Sequence, residues 1–212
     1  MSRCAPSRDS ARPRSTSRMS ARTRGMHKAR RRRPRRATRL QVSAWAAHAT
    51  LPPMEPQERV RTALAALGLP SEIVCFDGTT ATAQEAADAV GCELGQIVKT
   101  LFFLADGRPT IALVAGDRQV DTSALAELLG VGRKKLKMGA PTEVLEFTGF
   151  QVGGVAPVGH LHRPDVVVDE SLGRFEWVWA AAGAHNAVFE AVTRDLVAAI
   201  HGQWAAITKE PA

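Results

Sequence analysis

The chain has 212 residues, of which 45% are hydrophobic and 23% charged, a composition typical of one ordinary globular domain with some additional sequence. No apolar run approaches the roughly 18 residues that a membrane-spanning helix needs, which argues against a membrane protein. The three cysteines, Cys4, Cys75 and Cys92, form no CxxC pair. They argue against a disulfide framework and a thiolate zinc site, and they favour a reducing, cytoplasmic compartment.

The formal net charge of +7 comes entirely from the first quarter of the chain. Residues 1–54 hold 15 Lys and Arg against the single acid Asp9, a net charge of +14. Residues 55–212 hold the other 13 basic residues and 20 acidic residues, a net charge of −7. The first segment lacks apolar periodicity and contains six arginines within residues 30–36, so we predict a disordered Arg-rich tail.

Three interpretations of the tail stay open. Targeting peptides are rich in Arg and Ser and poor in acids, as this segment is. A basic arm could instead bind RNA phosphates by releasing counterions. In the third interpretation translation starts at Met54 and the upstream stretch is not part of the protein. Mass spectrometry of the native N-terminus distinguishes the three.

From Met54 onward, helix-like and strand-like patterns alternate. Apolar residues at helical spacing predict a helix over 58–67 that ends at Gly68, and a short apolar run predicts a strand over 73–76. Thr82 and Glu85 match a capping box, which predicts a helix from there through Val90.

The second half of the chain continues the same alternation. Strands over 97–104 and 110–115 are predicted to pair around a turn at 105–109. Asp121 is predicted to cap a helix over 122–129, and a short helix follows over 141–147. The remaining predicted elements are strands over 151–155, 165–169, 177–181 and 187–192 and a last helix from Thr193 toward Trp204. This order, without an internal repeat, predicts one mixed α/β (α+β) domain over residues 55–212.

Three features carry candidate chemistry. Lys99 lies in a nearly apolar strand. Its ammonium either reaches solvent at a sheet edge or faces a cleft, where it would fix a phosphate or carbonyl oxygen. The pair Gly153-Gly154 is either a plain tight turn or a loop whose amides bind an oxyanion or a ribose hydroxyl. His185 lies in a Gly-His-Asn type turn, where it is either a proton shuttle or an exposed residue without a catalytic role.

Other kinds of site lack their signatures in the sequence. His160 and His162 could share a metal on a strand, but no nearby cysteine or HExxH pattern completes the ligand set. No GxSxG elbow or Cys–His pairing is evident, and Cys75 and Cys92 are predicted to be small buried hydrophobes. We therefore predict no metal and no cofactor. A hydrolase built on this chain would have to orient its substrate and water with backbone amides.

Several segments, in this order and at this spacing, resemble the YbaK/EbsC family, which includes the editing insertion of bacterial prolyl-tRNA synthetases. The resemblance covers roughly residues 56–202. It rests on 80–87 followed by Gly91, on 97–101 (IVKTL), on 153–159 (GGVAPVG), on 183–185 and on 193–196. The resemblance implies a single domain with a central mixed, curved β-sheet flanked by short helices.

The family removes wrongly attached amino acids from the 3′ end of tRNA without a metal, and in several members a ribose hydroxyl of the substrate assists. The resemblance therefore implies an aminoacyl-tRNA deacylase, with mischarged tRNA as its substrate and no cofactor. Lys99 would anchor the substrate, Gly153 would offer backbone contacts and His185 would orient the amine or water. The implied substrate-binding residues are Thr80, Thr82, Gly154, Pro157 and Gly183, although Thr82 could serve only as a helix cap.

Two departures limit what the resemblance implies about specificity. Residues 160–164 (HLHRP) replace the lysine-rich continuation of the cysteine-specific branch, and Gly-Ala-His-Asn replaces a Gly-Arg-Arg type turn. Specificity for a cysteinyl or an alanyl group is therefore not carried over, and we expect a small amino acid.

The acidic charge of the predicted domain opposes tRNA binding. The basic run formed by Arg133, Lys134, Lys135 and Lys137 either contacts acceptor-stem phosphates or is a solvated charge run. Further affinity would come from the Arg-rich tail or from an aminoacyl-tRNA synthetase as partner. Two rival functions remain: a non-catalytic module of the same fold that binds aminoacyl-tRNA or a small ligand, and a nucleic-acid-binding regulator driven by the tail.

Overall fold

The computed structural model describes residues 54–69, 71–77 and 82–209. The predictions for the Arg-rich tail before Met54 and for Thr80 lie outside these residues. In the part of the chain that is described, no helix is long and apolar enough to cross a membrane.

Five short helices and ten strands make up the described domain. The helices are α1 (Pro56–Ala66), α2 (Ala83–Val90), α3 (Thr122–Leu128), α4 (Pro141–Thr148) and α5 (Thr193–Ala199). The strands are β1 (Ile73–Cys75), β2 (Ile97–Ala105), β3 (Arg108–Ala115), β4 (Gln119–Val120), β5 (Leu136–Met138), β6 (Asp165–Asp169), β7 (Trp177–Ala181), β8 (Ala187–Val192), β9 (Gln203–Ala205) and β10 (Thr208–Lys209).

Eight strands form one mixed sheet, in the order β1-β8-β7-β2-β3-β6-β9, with β5 pairing to β2 beside this path. The pairs β2/β7, β3/β6 and β6/β9 are parallel, and the others in this sheet are antiparallel. Strands β4 and β10 form a separate two-stranded sheet. The predicted α/β class with a mixed sheet flanked by short helices is confirmed.

On the edge of β2 that faces away from β3, two short strands pair with different parts of β2. Its first residues pair with β7, from Ile97 opposite Trp179, and its last pair with β5, from Phe103 opposite Met138. Among the described strands none pairs with residues 99–102 on that edge, although Phe102 O accepts a bond from the Gly139 N–H at 3.0 Å. The sheet therefore has an opening beside the middle of β2.

Both faces of the central strands β2 and β3 pack in hydrophobic cores, and neighbouring side chains of each strand point to opposite faces. Phe102 packs in a large core that includes Leu64 of α1, whereas Phe103 packs in a smaller core that includes Leu125 of α3. This arrangement explains why β2 and β3 read as nearly continuous apolar runs.

Several local predictions are confirmed in atomic detail. The Thr82 hydroxyl accepts the Glu85 N–H at 3.2 Å while the Glu85 carboxylate accepts the Thr82 N–H at 3.2 Å, which completes the capping box. Asp121 caps α3 by accepting bonds from the N–H groups of Ser123 and Ala124. The β2–β3 turn is tighter than predicted: Asp106 and Gly107, both at positive φ, connect Ala105 directly to Arg108.

Three predictions are wrong. Residues 151–155 form a turn and not a strand, since the Gly154 N–H bonds to Gln151 O and Gly153 has a φ of 93°. The last helix ends at Ala199, and His201 at a φ of 53° redirects the chain so that β9 joins the sheet. Cys75 is exposed because it lies on an edge strand, and Cys92 is only partly buried, so neither is a buried hydrophobe.

The buried carboxylate of Asp169 connects β6 to the C-terminal segment. It accepts bonds from the Ser171 N–H, the Ile207 N–H and the Thr208 hydroxyl, each at 2.9 Å. We expect Asp169→Ala to lower the free energy of unfolding by about 3 kcal/mol, because buried donors lose a charged acceptor.

Asp165 at the other end of β6 is the matched control for this variant. Among the described residues, its carboxylate pairs only with Arg108, at 3.6 Å, and both side chains are exposed. Asp165→Ala should change the free energy of unfolding by less than about 1 kcal/mol. Urea denaturation measures both, and equal losses would contradict the role assigned to Asp169.

Candidate functional site

The opening beside β2 is the mouth of a cavity of about 330 Å³. Its wall is mainly apolar and includes Val98, Phe102 and Trp179. Four predicted site residues border the same cavity: Thr82, Lys99, Gly153 and His185. The structure thus brings together residues that lie up to 103 positions apart in the sequence.

Lys99 borders the cavity from the unpaired stretch of β2. Its ammonium donates to Gly116 O at 3.0 Å and to Arg118 O. Burial lowers the pKa of Lys99, and the negative charge of Asp117 opposes that shift. The ammonium therefore does not snorkel to solvent as a simple edge lysine would. It carries three N–H donors, so one remains beyond the two carbonyl bonds.

The Gly153-Gly154 pair packs directly against the turn that contains His185. A Cβ on Gly153 would lie 2.4 Å from His185 Cε1, and a Cβ on Gly154 would lie 2.9 Å from Ala184 Cα. The Gly154 N–H already bonds to Gln151 O at 3.0 Å. In the described part of the chain no group accepts a bond from the Gly153 N–H. Of these two N–H groups, only that of Gly153 thus lacks an acceptor among the described residues, and Gly153 also borders the cavity.

His185 borders both the cavity and a second groove. That groove is bordered by Glu55, Gln57, Gln151 and Asn186, and by Gly183. Gly183 adopts a φ of 91° and approaches Pro56 so closely that a Cβ would lie 2.9 Å from Pro56 O. It therefore shapes the turn that presents His185.

Among the described residues, Gly154, Pro157 and Gly183 were predicted to bind substrate but do not border the cavity. Gly154 lies behind Gly153, and Pro157 borders a separate groove together with His160 and His162. Thr82 combines two roles, because its hydroxyl caps α2 while the residue also borders the cavity.

Thr100 is a site residue that the sequence did not reveal as one. It borders the cavity, and its Oγ1 is buried without a hydrogen-bond partner among the described residues. A buried hydroxyl without a partner costs about 1–3 kcal/mol. The only feature of the sequence that could have indicated Thr100 is its position directly after Lys99 in an apolar strand.

The basic run leads to the mouth of the cavity. Arg133, Lys134 and Lys135 form a 3-10 turn, and Lys137 lies in β5, directly before Met138 at the cavity rim. Lys135 pairs with Asp106 at 2.9 Å, and Arg133 bonds to the Thr122 hydroxyl at 3.3 Å. Lys134 and Lys137 are exposed.

His160 and His162, the pair that could share a metal, both border the separate groove next to Pro157. His160 Nε2 bonds to Ala156 O at 2.7 Å, so this nitrogen carries the proton of the neutral ring. Within residues 54–69, 71–77 and 82–209, no group of three His, Cys, Asp or Glu side chains could hold a metal ion.

Burial lowers the pKa of His160 to about 4. Because an unfolded histidine titrates near 6.5, the unfolded chain binds more protons than the folded chain between these values. The stability that depends on the neutral ring is therefore complete above pH 6.5 and is lost as the pH falls toward 4. Since the side chain is only partly buried by surface area, we expect a loss of about 2 kcal/mol by pH 4.

His160→Gln should remove most of this acid sensitivity, whereas His201→Gln, which changes an exposed histidine, should retain it. Urea denaturation at a series of pH values from 7 to 4 measures the difference. An unchanged pH slope in His160→Gln would contradict the assignment.

Comparisons with known proteins agree with this arrangement. Residues 77–199, well over half of the chain, match the family model of the aminoacyl-tRNA editing domain. The Bacillus subtilis (strain 168) protein YwhH, which is uncharacterized, is 36% identical over 138 residues, or 65% of this chain and 86% of YwhH. A proline–tRNA ligase of Maridesulfovibrio salexigens is 36% identical over 105 residues, which cover 50% of this chain and 17% of the ligase.

A solved structure described as a proposed trans-editing enzyme for prolyl-tRNA synthetase has a TM-score of 0.69 and 38% identity, and the match covers 75% of this chain and 99% of that one. The fold, the shared cavity and these matches lead to one conclusion: the chain belongs to the YbaK/EbsC family of aminoacyl-tRNA editing domains.

Proposed function

We propose that the protein is an aminoacyl-tRNA deacylase that hydrolyses the ester bond of mischarged tRNA. The observation that carries the proposal is the single cavity that Lys99, Thr100, Gly153 and His185 border together. The family to which the chain belongs supports the class of substrate.

The polar groups of the cavity fit ester hydrolysis. Water attacks the ester carbonyl carbon, and the oxygen of that carbonyl becomes an oxyanion that the Gly153 N–H and the remaining Lys99 N–H stabilise. The bond to the ribose oxygen then breaks, and a proton from the attacking water is delivered to that oxygen. The products are the free amino acid and the uncharged tRNA.

No carboxylate borders the cavity among the described residues. A strong protein base is therefore missing from the described lining, and His185 or a hydroxyl of the substrate ribose must help to accept the proton of water. The mechanism needs no metal, and EDTA should leave the rate unchanged.

The apolar part of the cavity favours an uncharged aminoacyl side chain. A cavity of about 330 Å³ must also admit the ester and part of the ribose, which favours a small amino acid. One methylene changes binding by only about 1–3 kcal/mol, so several small amino acids should be accepted at different rates.

The tRNA body would meet the surface beside the cavity. The exposed Lys134 and Lys137 lie on the stretch that ends at the rim residue Met138, where acceptor-stem phosphates would pass. The net charge of −7 over residues 55–212 keeps this affinity weak. A synthetase partner or the Arg-rich tail would then supplement it.

Gly153→Ala should reduce kcat at least about 100-fold, because the new Cβ displaces His185 and the donor N–H. Gly107→Ala is the matched control: Gly107 also has a positive φ, but a Cβ there meets nothing within 4 Å. Lys99→Met should cause a loss of similar size, because it removes the ammonium while it keeps most of the length of the side chain. The measurement is single-turnover hydrolysis of a panel of mischarged tRNAs by the full chain.

Each alternative outcome has a defined meaning. Binding of aminoacyl-tRNA without turnover would indicate the non-catalytic module. Binding that ignores aminoacylation and disappears when residues 1–53 are removed would indicate the tail-driven regulator. Equal losses in Gly153→Ala and Gly107→Ala would contradict the role of Gly153.

Thr100→Val should separate function from stability. The substitution removes a buried hydroxyl that has no described partner, so the free energy of unfolding should stay the same or rise. If the hydroxyl contacts the substrate, kcat/KM should fall about tenfold. A parallel measurement of both quantities checks this, and unchanged kcat/KM would remove Thr100 from the site.

A further inference from the structure

Arg59 of α1 is a buried cation without a carboxylate partner among the described residues. Only 6% of its surface is exposed, and burial lowers its pKa. Burying a charge is costly unless hydrogen bonds compensate for the lost water. The position therefore calls for a structural or functional reason.

Main-chain carbonyls supply the compensation. The Arg59 Nε donates to Gly159 O at 3.0 Å, and Nη2 donates to Gly149 O at 2.8 Å and to Thr148 O at 3.3 Å. The guanidinium also lies over the ring of Phe150, 4.5 Å from its centroid. The planar fork of one side chain thus holds three carbonyls in a fixed arrangement.

These carbonyls lie at the two ends of one loop, residues 149–159, and Gly153 lies between them. The backbone is shaped around the guanidinium: Gly149 has a φ of 72°, and a Cβ there would lie 2.6 Å from Arg59 Nη1. Gly159 has a φ of 77°, and a Cβ there would lie 3.2 Å from Arg59 O. Two main-chain bonds, from Leu161 to Thr148 and from His162 to Phe147, also close the base of the loop.

We propose that Arg59 is a positioning residue for the Gly153 N–H. It touches neither the cavity nor any reacting atom, and it acts by fixing both ends of the loop so that Gly153 stays packed on His185. This inference rests on the proposed deacylase function. It predicts that loss of Arg59 affects the transition state, which needs the aligned N–H, more than it affects substrate binding by the other walls.

The test compares Arg59→Met with Leu64→Ala in the full chain. Leu64 lies on the same helix, is 1% exposed and packs in the core that also contains Phe150 of the loop, but its apolar side chain makes none of the bonds to the loop carbonyls. Both variants are assayed at a temperature where circular dichroism shows them fully folded. Arg59→Met should lower kcat about 10- to 100-fold with KM changed less than threefold, and Leu64→Ala should keep kcat within threefold.

Arg59→Lys provides a second variant in case Arg59→Met does not fold. An ammonium keeps the charge but cannot reproduce the fork, so its kcat should lie between those of wild type and Arg59→Met. Wild-type kcat in Arg59→Met or Arg59→Lys, or an equal loss in Leu64→Ala, would overturn the proposal.

Amide hydrogen exchange gives a readout that does not depend on the reaction. Exchange in residues 149–160 should accelerate at least tenfold in Arg59→Met relative to Leu64→Ala, with the strands of the main sheet unaffected. A uniform acceleration over the whole domain would assign Arg59 a merely structural role. If wild type hydrolyses no mischarged tRNA while exchange in the loop is selectively accelerated, the proposed function fails and the loop-fixing role of Arg59 stands.

Discussion

The site depends on incomplete pairing along one edge of β2. Strand β7 pairs with the beginning of β2 and β5 pairs with its end, so the middle of that edge has no strand partner among the described elements. A continuous neighbour would fill this space with backbone. Two short neighbours instead leave an opening beside the middle of β2, and the residues along this opening border the cavity.

Main-chain carbonyls accept hydrogen bonds from three basic side chains in and near the site. Lys99 bonds to the carbonyls of Gly116 and Arg118, Arg59 bonds to three carbonyls, and the His160 ring bonds to Ala156 O. Carbonyls hold the Lys99 and Arg59 cations in place without neutralising their charge, whereas the His160 ring is neutral. In the proposed mechanism, the positive charge of Lys99 remains available to an anionic transition state, which an ion pair with a bordering carboxylate would weaken.

At three positions in and near the site, a different neighbouring group leaves no room for the side chain of a residue other than glycine. Gly153 leaves room for the His185 ring, Gly154 for the backbone of Ala184, and Gly149 for the Arg59 guanidinium. All three reasons are close approaches between segments distant in sequence. Gly153 and Gly154 look like one motif in the sequence, but of the two only Gly153 borders the cavity.

The sequence by itself determined most of the local structure, because capping and periodicity act over a few residues. The capping box at Thr82, the cap at Asp121 and the apolar runs of β2 and β3 predicted their elements closely, and the motifs around Lys99 and Gly153 identified the family. Tertiary contacts decided the rest. The turn at residues 151–155, the return of β9 to the sheet, the buried Thr100 hydroxyl and the carbonyl bonds of Arg59 all depend on partners far away in the chain, which neither periodicity nor spacing can specify.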